Sequence, residues 1–100
     1  MPSRDDWNNP ETEALAAALL SLEDVDEVKA FLRDLCTFNE ITELAQRWQI
    51  ARLLEEGHSY RAIAEEAGTS TATVTRVNQW LQHGMDGYRT ALDRLGAPRT

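Results

Sequence analysis

Residues 62–81 read AIAEEAGTSTATVTRVNQWL, and the order of small, apolar and permissive residues in this stretch decides the fold. A helix-turn-helix needs a small residue where its two helices touch. It also needs glycine, or something as permissive, at the turn, and apolar residues on the inner face of the second helix. Ala64 is the small residue, with Ile63 and Ala67 on the same side, and Gly68 follows four residues later. Val74 and Val77 share one face, which Leu81 extends. These requirements fall in register without an insertion. An ordinary helical hairpin shares the glycine turn and the apolar spacing, and it stands as the plainer alternative.

The opposite face of the second helix carries Thr69, Ser70, Thr71, Ala72, Thr75 and Gln79, all small or polar. Such residues let a helix lie deep in a groove. Threonine methyls touch thymine methyls, and hydroxyls and glutamine bond base edges. Ser70 and Thr71 sit near the positive helix end, which suits a phosphate. Arg61 and Arg76 flank the face and suit phosphates or a guanine edge. A solvated polar surface would look similar. Threonine, however, is a poor helix former, and positions 69, 71, 73 and 75 are all threonine. Small branched side chains required by a function explain that choice better than packing does. The same residues lead us to expect a reading unit more mobile than its base.

Outward from this unit the chain reads as helix throughout. Ser59 caps a helix from Tyr60 to Ala67. Thr69 or Ser70 caps the next, which runs to about Gln82, so the helix-turn-helix covers about 59–82. Upstream, Thr37 and Glu40 have the spacing of a capping box, in which each side chain satisfies a backbone N–H of the other. The long helix that follows carries Ile41, Leu44, Ala45, Trp48, Ala51, Leu53 and Leu54 and stops near Gly57. Before it, a helix from about Asp24 to Cys36 has acids in its first turn, where they suit the helix dipole. An earlier one, Glu11 to Leu22, carries leucines at helical spacing among alanines. Gly84 and Gly87 bracket a turn into a last helix, about Gly87 to Leu95. The expected fold class is all-α, with six short helices in a single domain over 11–96. A frayed arm covers 1–10 and a tail covers 97–100. The first two helices are marginal alone, so their apolar stripes need a cover. A second copy of the chain is an economical one, and folding back onto the third helix is the alternative.

Composition narrows the function. No apolar run approaches the ~18 residues of a membrane span, and no signal-peptide pattern opens the chain, so a cytoplasmic protein is expected. Cys36 has no second cysteine and lies among Leu32, Leu35 and Phe38, as a core thiol would. His58 and His83 have no ligand spacing. No phosphate loop or reaction centre is visible, so neither an enzyme, a metal nor a cofactor is expected. The net charge is −7, which opposes the approach of a polyanion. It is unevenly spread. Residues 1–56 hold 13 acidic against 5 basic side chains, −8, and residues 57–100 hold 4 against 5, +1. Screening beyond ~8 Å makes an acidic base tolerable behind a near-neutral reading unit. With few cations, non-specific affinity should be weak and its salt dependence shallow. Two subunits acting together would then supply the rest through effective concentration.

The run LAQRWQIARLLEEGHSYRAIAEEAGTSTATVTRVNQWL, with DLCTFNEI before it and GMDGYRTALDRL after it, resembles the Trp repressor superfamily, and within it the YerC/YecD-type branch. The likeness covers roughly residues 12–95. It implies an intertwined six-helix homodimer whose reading heads insert the helix at about 70–82 into the major groove of double-stranded DNA, with a palindromic operator. The family's DNA-facing positions fall on Tyr60, Arg61, Gly68, Thr69, Ser70, Thr71, Ala72 and Thr75, to which the residues themselves add Arg76 and Gln79. The classical repressor holds L-tryptophan as corepressor. Its site would correspond here to Thr37, Arg47, Thr73 and Arg76. Val77 stands where that repressor has glycine, and Trp80 where it has serine. Both are expected to fill the room an indole would need, with Trp80 fixing the pose of the head, so no response to L-tryptophan is expected. Another effector remains open, and so do ion pairs of Arg47 and Arg76 with Glu43 or Glu65. Trp48 reads as core, Trp80 as filler or core, and Trp7 lies outside the likeness. The leading function is a DNA-binding regulator, most simply a repressor. A protein-docking module and a small-molecule sensor are the alternatives.

Overall fold

The computed structural model describes residues 4–96. A 3-10 turn, Arg4–Trp7, precedes six α-helices: α1 Pro10–Leu20, α2 Val25–Leu35, α3 Phe38–Glu55, α4 Tyr60–Ala67, α5 Thr71–His83 and α6 Gly87–Leu95. No strand occurs among the described residues. The tail expected at 97–100 lies outside them.

Side-chain caps set most of the helix starts. Asn9 accepts from the Thr12 amide at 2.9 Å, and Pro10 opens α1, where its missing N–H costs nothing. The Asn9 amide group donates to the Asp6 carbonyl at 2.7 Å, and the Thr12 hydroxyl bonds the Trp7 carbonyl. These bonds fold residues 4–9, where a frayed arm was expected, into a turn. Ser21 closes α1 two residues early, its hydroxyl donating to the Ala18 carbonyl at 2.7 Å. Asp24 caps α2 through the Glu27 amide at 2.8 Å. Thr37 and Glu40 form the reciprocal box that their spacing predicts, with bonds of 3.1 and 2.8 Å.

The chain divides into two compact units, Met1–Ile41 and Thr42–Thr100. In the first, neither α1 nor α2 contains a buried residue. Leu15, Leu19, Leu35 and Phe38 are exposed, and Leu20 is 87% exposed. Cys36 is half-buried and so not the core thiol its neighbours suggest, because the unit has no closed core to take it. The Arg33 guanidinium lies 3.8 Å from the centroid of the Phe38 ring, a cation–π contact that covers one face of an exposed aromatic.

The second unit holds the core. Ile50, Ile63 and Val74 are fully buried, with Ala51, Leu53, Ala64 and Val77 around them. α4 packs on α5, and α5 on α6. Trp48 sits half-buried at the edge of this cluster rather than inside it, stacked on Tyr88 with ring centroids 6.3 Å apart. Arg89 of α6 makes a bidentate pair with Glu55 at the end of α3, at 2.9 and 3.0 Å, and reaches Asp93 at 3.3 Å. The Glu55 carboxylate hydrogen-bonded to it raises the guanidinium further above its already high pKa. Such a fork-to-fork pair fixes geometry as well as charge. Between α5 and α6, a Cβ on Gly84 would lie 2.4 Å from the Trp80 carbonyl oxygen, so only glycine passes there. Burial is therefore distributed opposite to the expected mobile head on a firm base. Within one chain, the head carries the core.

Candidate nucleic-acid interface

The turn between α4 and α5 is built on Gly68, which adopts φ 70°. This left-handed conformation is cheap for glycine and strained for other residues. It lets the Thr69 amide return to the Ala64 carbonyl at 2.9 Å and the Gly68 amide to Glu65 at 3.3 Å, closing α4. Ser70, rather than Thr69, caps α5, accepting from the Thr73 amide at 3.3 Å. Ser59 caps α4 through the Ala62 amide at 3.1 Å.

The two faces of α5 separate cleanly. Val74, Val77 and Leu81 are buried. Thr71, Ala72, Thr75, Arg76 and Gln79 are exposed, and their spacing of three and four places them on one face. Ser70 and Gly68 are exposed beside them, as are Tyr60 and Arg61 of α4, while Thr69 is half-buried. The sequence-predicted DNA-facing residues therefore lie on two helices and the turn between them. The Thr75 hydroxyl donates to the Thr71 carbonyl at 3.0 Å. The Thr73 hydroxyl lies 3.3 Å from that of Ser70 and accepts from Arg76 at 3.5 Å.

Among the described residues, Arg47, Arg61 and Arg76 make no ion pair, so the alternative of pairs with Glu43 or Glu65 is not realised. Arg89, by contrast, is occupied by Glu55 and Asp93. Of these cations, Arg76 lies on α5 and Arg61 on α4, both exposed with the small polar residues of the helix-turn-helix.

Beside that face lies a cavity of about 390 Å³ lined by Glu43, Gln46, Arg47, Thr73, Arg76, Val77 and Trp80. It brings together five of the six positions singled out by comparison with a corepressor site. The sixth, Thr37, belongs to the first unit, where it caps α3. Trp80 does not fill the space as expected. It is 67% exposed and stands at the rim. Val77 is turned into the core and forms wall. With Trp80 exposed, it neither acts as core nor fixes the head from within. Sequence reasoning missed Gln46, whose amide donates to the Ala67 carbonyl at 3.0 Å and ties α3 to the end of α4. That pair is 21 residues apart and has no local signature.

Comparison with known proteins places this geometry. The family model described as Trp repressor protein matches residues 10–96. The uncharacterized protein YerC of Bacillus subtilis is 46% identical over 96 residues, which cover 96% of this chain and 92% of that protein. A crystal structure of a TrpR-like protein from Eubacterium eligens superposes with a TM-score of 0.88 at 43% identity, covering 97% of this chain and all of that one. A candidate Trp repressor from Staphylococcus aureus superposes at 0.87 with 38% identity, and each chain is covered completely.

Proposed function

This chain belongs to the Trp repressor family, whose members are regulatory DNA-binding proteins and not enzymes, and from that premise we propose that it is a sequence-specific repressor. It acts as a homodimer that sets α5 of each subunit into the major groove of a palindromic operator, at the nucleoid. The observation that carries this reading is the division of α5. Its inner face is buried, while Thr71, Ala72, Thr75 and Gln79 on its outer face are small or polar and exposed beside Arg61 and Arg76, which have no acidic partner among the described residues.

Pairing is supported by the uncovered leucines of α1 and by an open apolar groove of about 430 Å³ lined by residues that include Trp48, Trp80, Met85 and Tyr88. A monomer rarely leaves so much apolar surface uncovered. A dimer also answers the charge problem. Each head needs few cations if two heads bind at once.

Selection from a random duplex pool tests the reading. The expected consensus is palindromic, with half-sites about one helical turn, ~34 Å, apart. On that duplex, Thr71→Ala is expected to relax preference at one base pair at a cost of roughly tenfold. Arg61→Ala should weaken all sequences alike. Two cations per subunit give a slope of log affinity against log salt of about −4, shallow for a DNA binder. Selected-site binding that neither substitution alters would remove the groove assignment.

L-Tryptophan is not the corepressor in this proposal. The support is Val77, whose buried side chain forms wall where the classical repressor leaves open room. Calorimetry with L-tryptophan is expected to show no binding tighter than about 1 mM, and a micromolar isotherm would overturn this.

A further inference from the structure

A threonine facing DNA offers two different groups, a hydroxyl that donates or accepts and a methyl that does neither. Which one it offers depends on what the hydroxyl already does. At Thr75 the hydroxyl is committed to the Thr71 carbonyl, one turn back in its own helix, at 3.0 Å. The residue is nonetheless exposed on the outer face of α5. Donating that hydroxyl to a base means breaking a hydrogen bond already made, which leaves it only its lone pairs to offer. Using the methyl breaks nothing. Ala72, also exposed, stands three residues earlier on the same face and adds a second methyl. Together they form an apolar strip on a face that is otherwise polar. Thr71 differs: its hydroxyl has no hydrogen-bond partner among the described residues, so it is free to read.

Resting on the DNA-reading function above, we propose that Thr75 is a specificity-determining residue that selects thymine through its exposed methyl group, because its hydroxyl proton is held by the helix backbone. In the major groove only thymine, among the four bases, presents a methyl. The contact is apolar and is independent of the phosphate contacts.

Three proteins and one modified duplex series test the assignment: wild type, Thr75→Val, Thr75→Ser, and the selected duplex with each thymine replaced in turn by deoxyuridine. Thr75→Val keeps a methyl and is expected to bind within about twofold of wild type. Thr75→Ser keeps the hydroxyl and is expected to bind about tenfold more weakly. One deoxyuridine position should weaken wild type and Thr75→Val about tenfold and leave Thr75→Ser unchanged. Binding by Thr75→Ser at wild-type strength, together with a loss in Thr75→Val, would assign the reading to the hydroxyl and overturn the proposal. A deoxyuridine scan with no effect on wild type overturns it too, without requiring either variant to fold. A wild type that enriches no duplex at all removes the DNA-reading function itself, which separates the two failures.

Discussion

Truncating Ile63 to alanine is expected to lower the unfolding free energy by about 2–5 kcal/mol. Ile63 is fully buried in the cluster with Ile50, Leu53, Val74 and Val77, so every methyl removed leaves a void lined by atoms that cannot collapse fully. It belongs to α4, five residues before the Gly68 turn, and it faces the helix that α4 must hold at a fixed angle. The loss is a large fraction of the 5–15 kcal/mol that typically separates a folded domain from its unfolded chain. Loosening this contact should also degrade duplex binding, although Ile63 touches no DNA in the proposed complex. Urea denaturation at one fixed protein concentration measures the effect. Glu66→Ala, on the exposed side of the same helix, is the control and should stay within about 0.5 kcal/mol. An Ile63→Ala protein as stable as that control would mean the helix-turn-helix draws little from this core.

Replacing Leu19 with aspartate should act on assembly. Leu15, Leu19 and Leu20 of α1 are all exposed in the single chain, and α1 buries nothing. In a twofold pair each substitution is felt twice. Each lost leucine removes about 1.5–3 kcal/mol of apolar burial, and the carboxylate must be desolvated as well. A loss of at least about 4 kcal/mol, roughly a thousandfold in the dimer dissociation constant, is expected. Sedimentation equilibrium at micromolar protein should then report a single subunit where the unaltered chain reports two. A Leu19→Asp chain that stays paired would place the interface elsewhere.

The sequence carried the fold most clearly where neighbours three or four residues apart settle the matter. The Thr37–Glu40 box, the Ser59 cap, the left-handed Gly68 and the buried Val74, Val77 and Leu81 are all of this kind. So is membership of the family, read from the same stretches. What escaped depends on distant partners. The Arg89–Glu55 pair joins positions 34 apart, and Gln46 reaches across 21. The exposure of Trp80 and the half-burial of Trp48 follow from how helices meet, which side-chain size alone does not specify. Gly84 and Gly87 marked the turn before α6, but the positive φ there falls on Asp86, at 65°. An acidic residue in the left-handed region is one of the few side chains that tolerate it.

The absence of buried residues in α1 and α2 bears on abundance as well as shape. In the proposed dimer the pairing face is also their missing interior, so these helices would gain stability when a mate arrives, and mass action would then govern it. The melting midpoint should climb as the solution is made more concentrated. In a growing cell, occupancy of an operator by such a dimer would follow the square of copy number at low expression, sharpening the response to protein level.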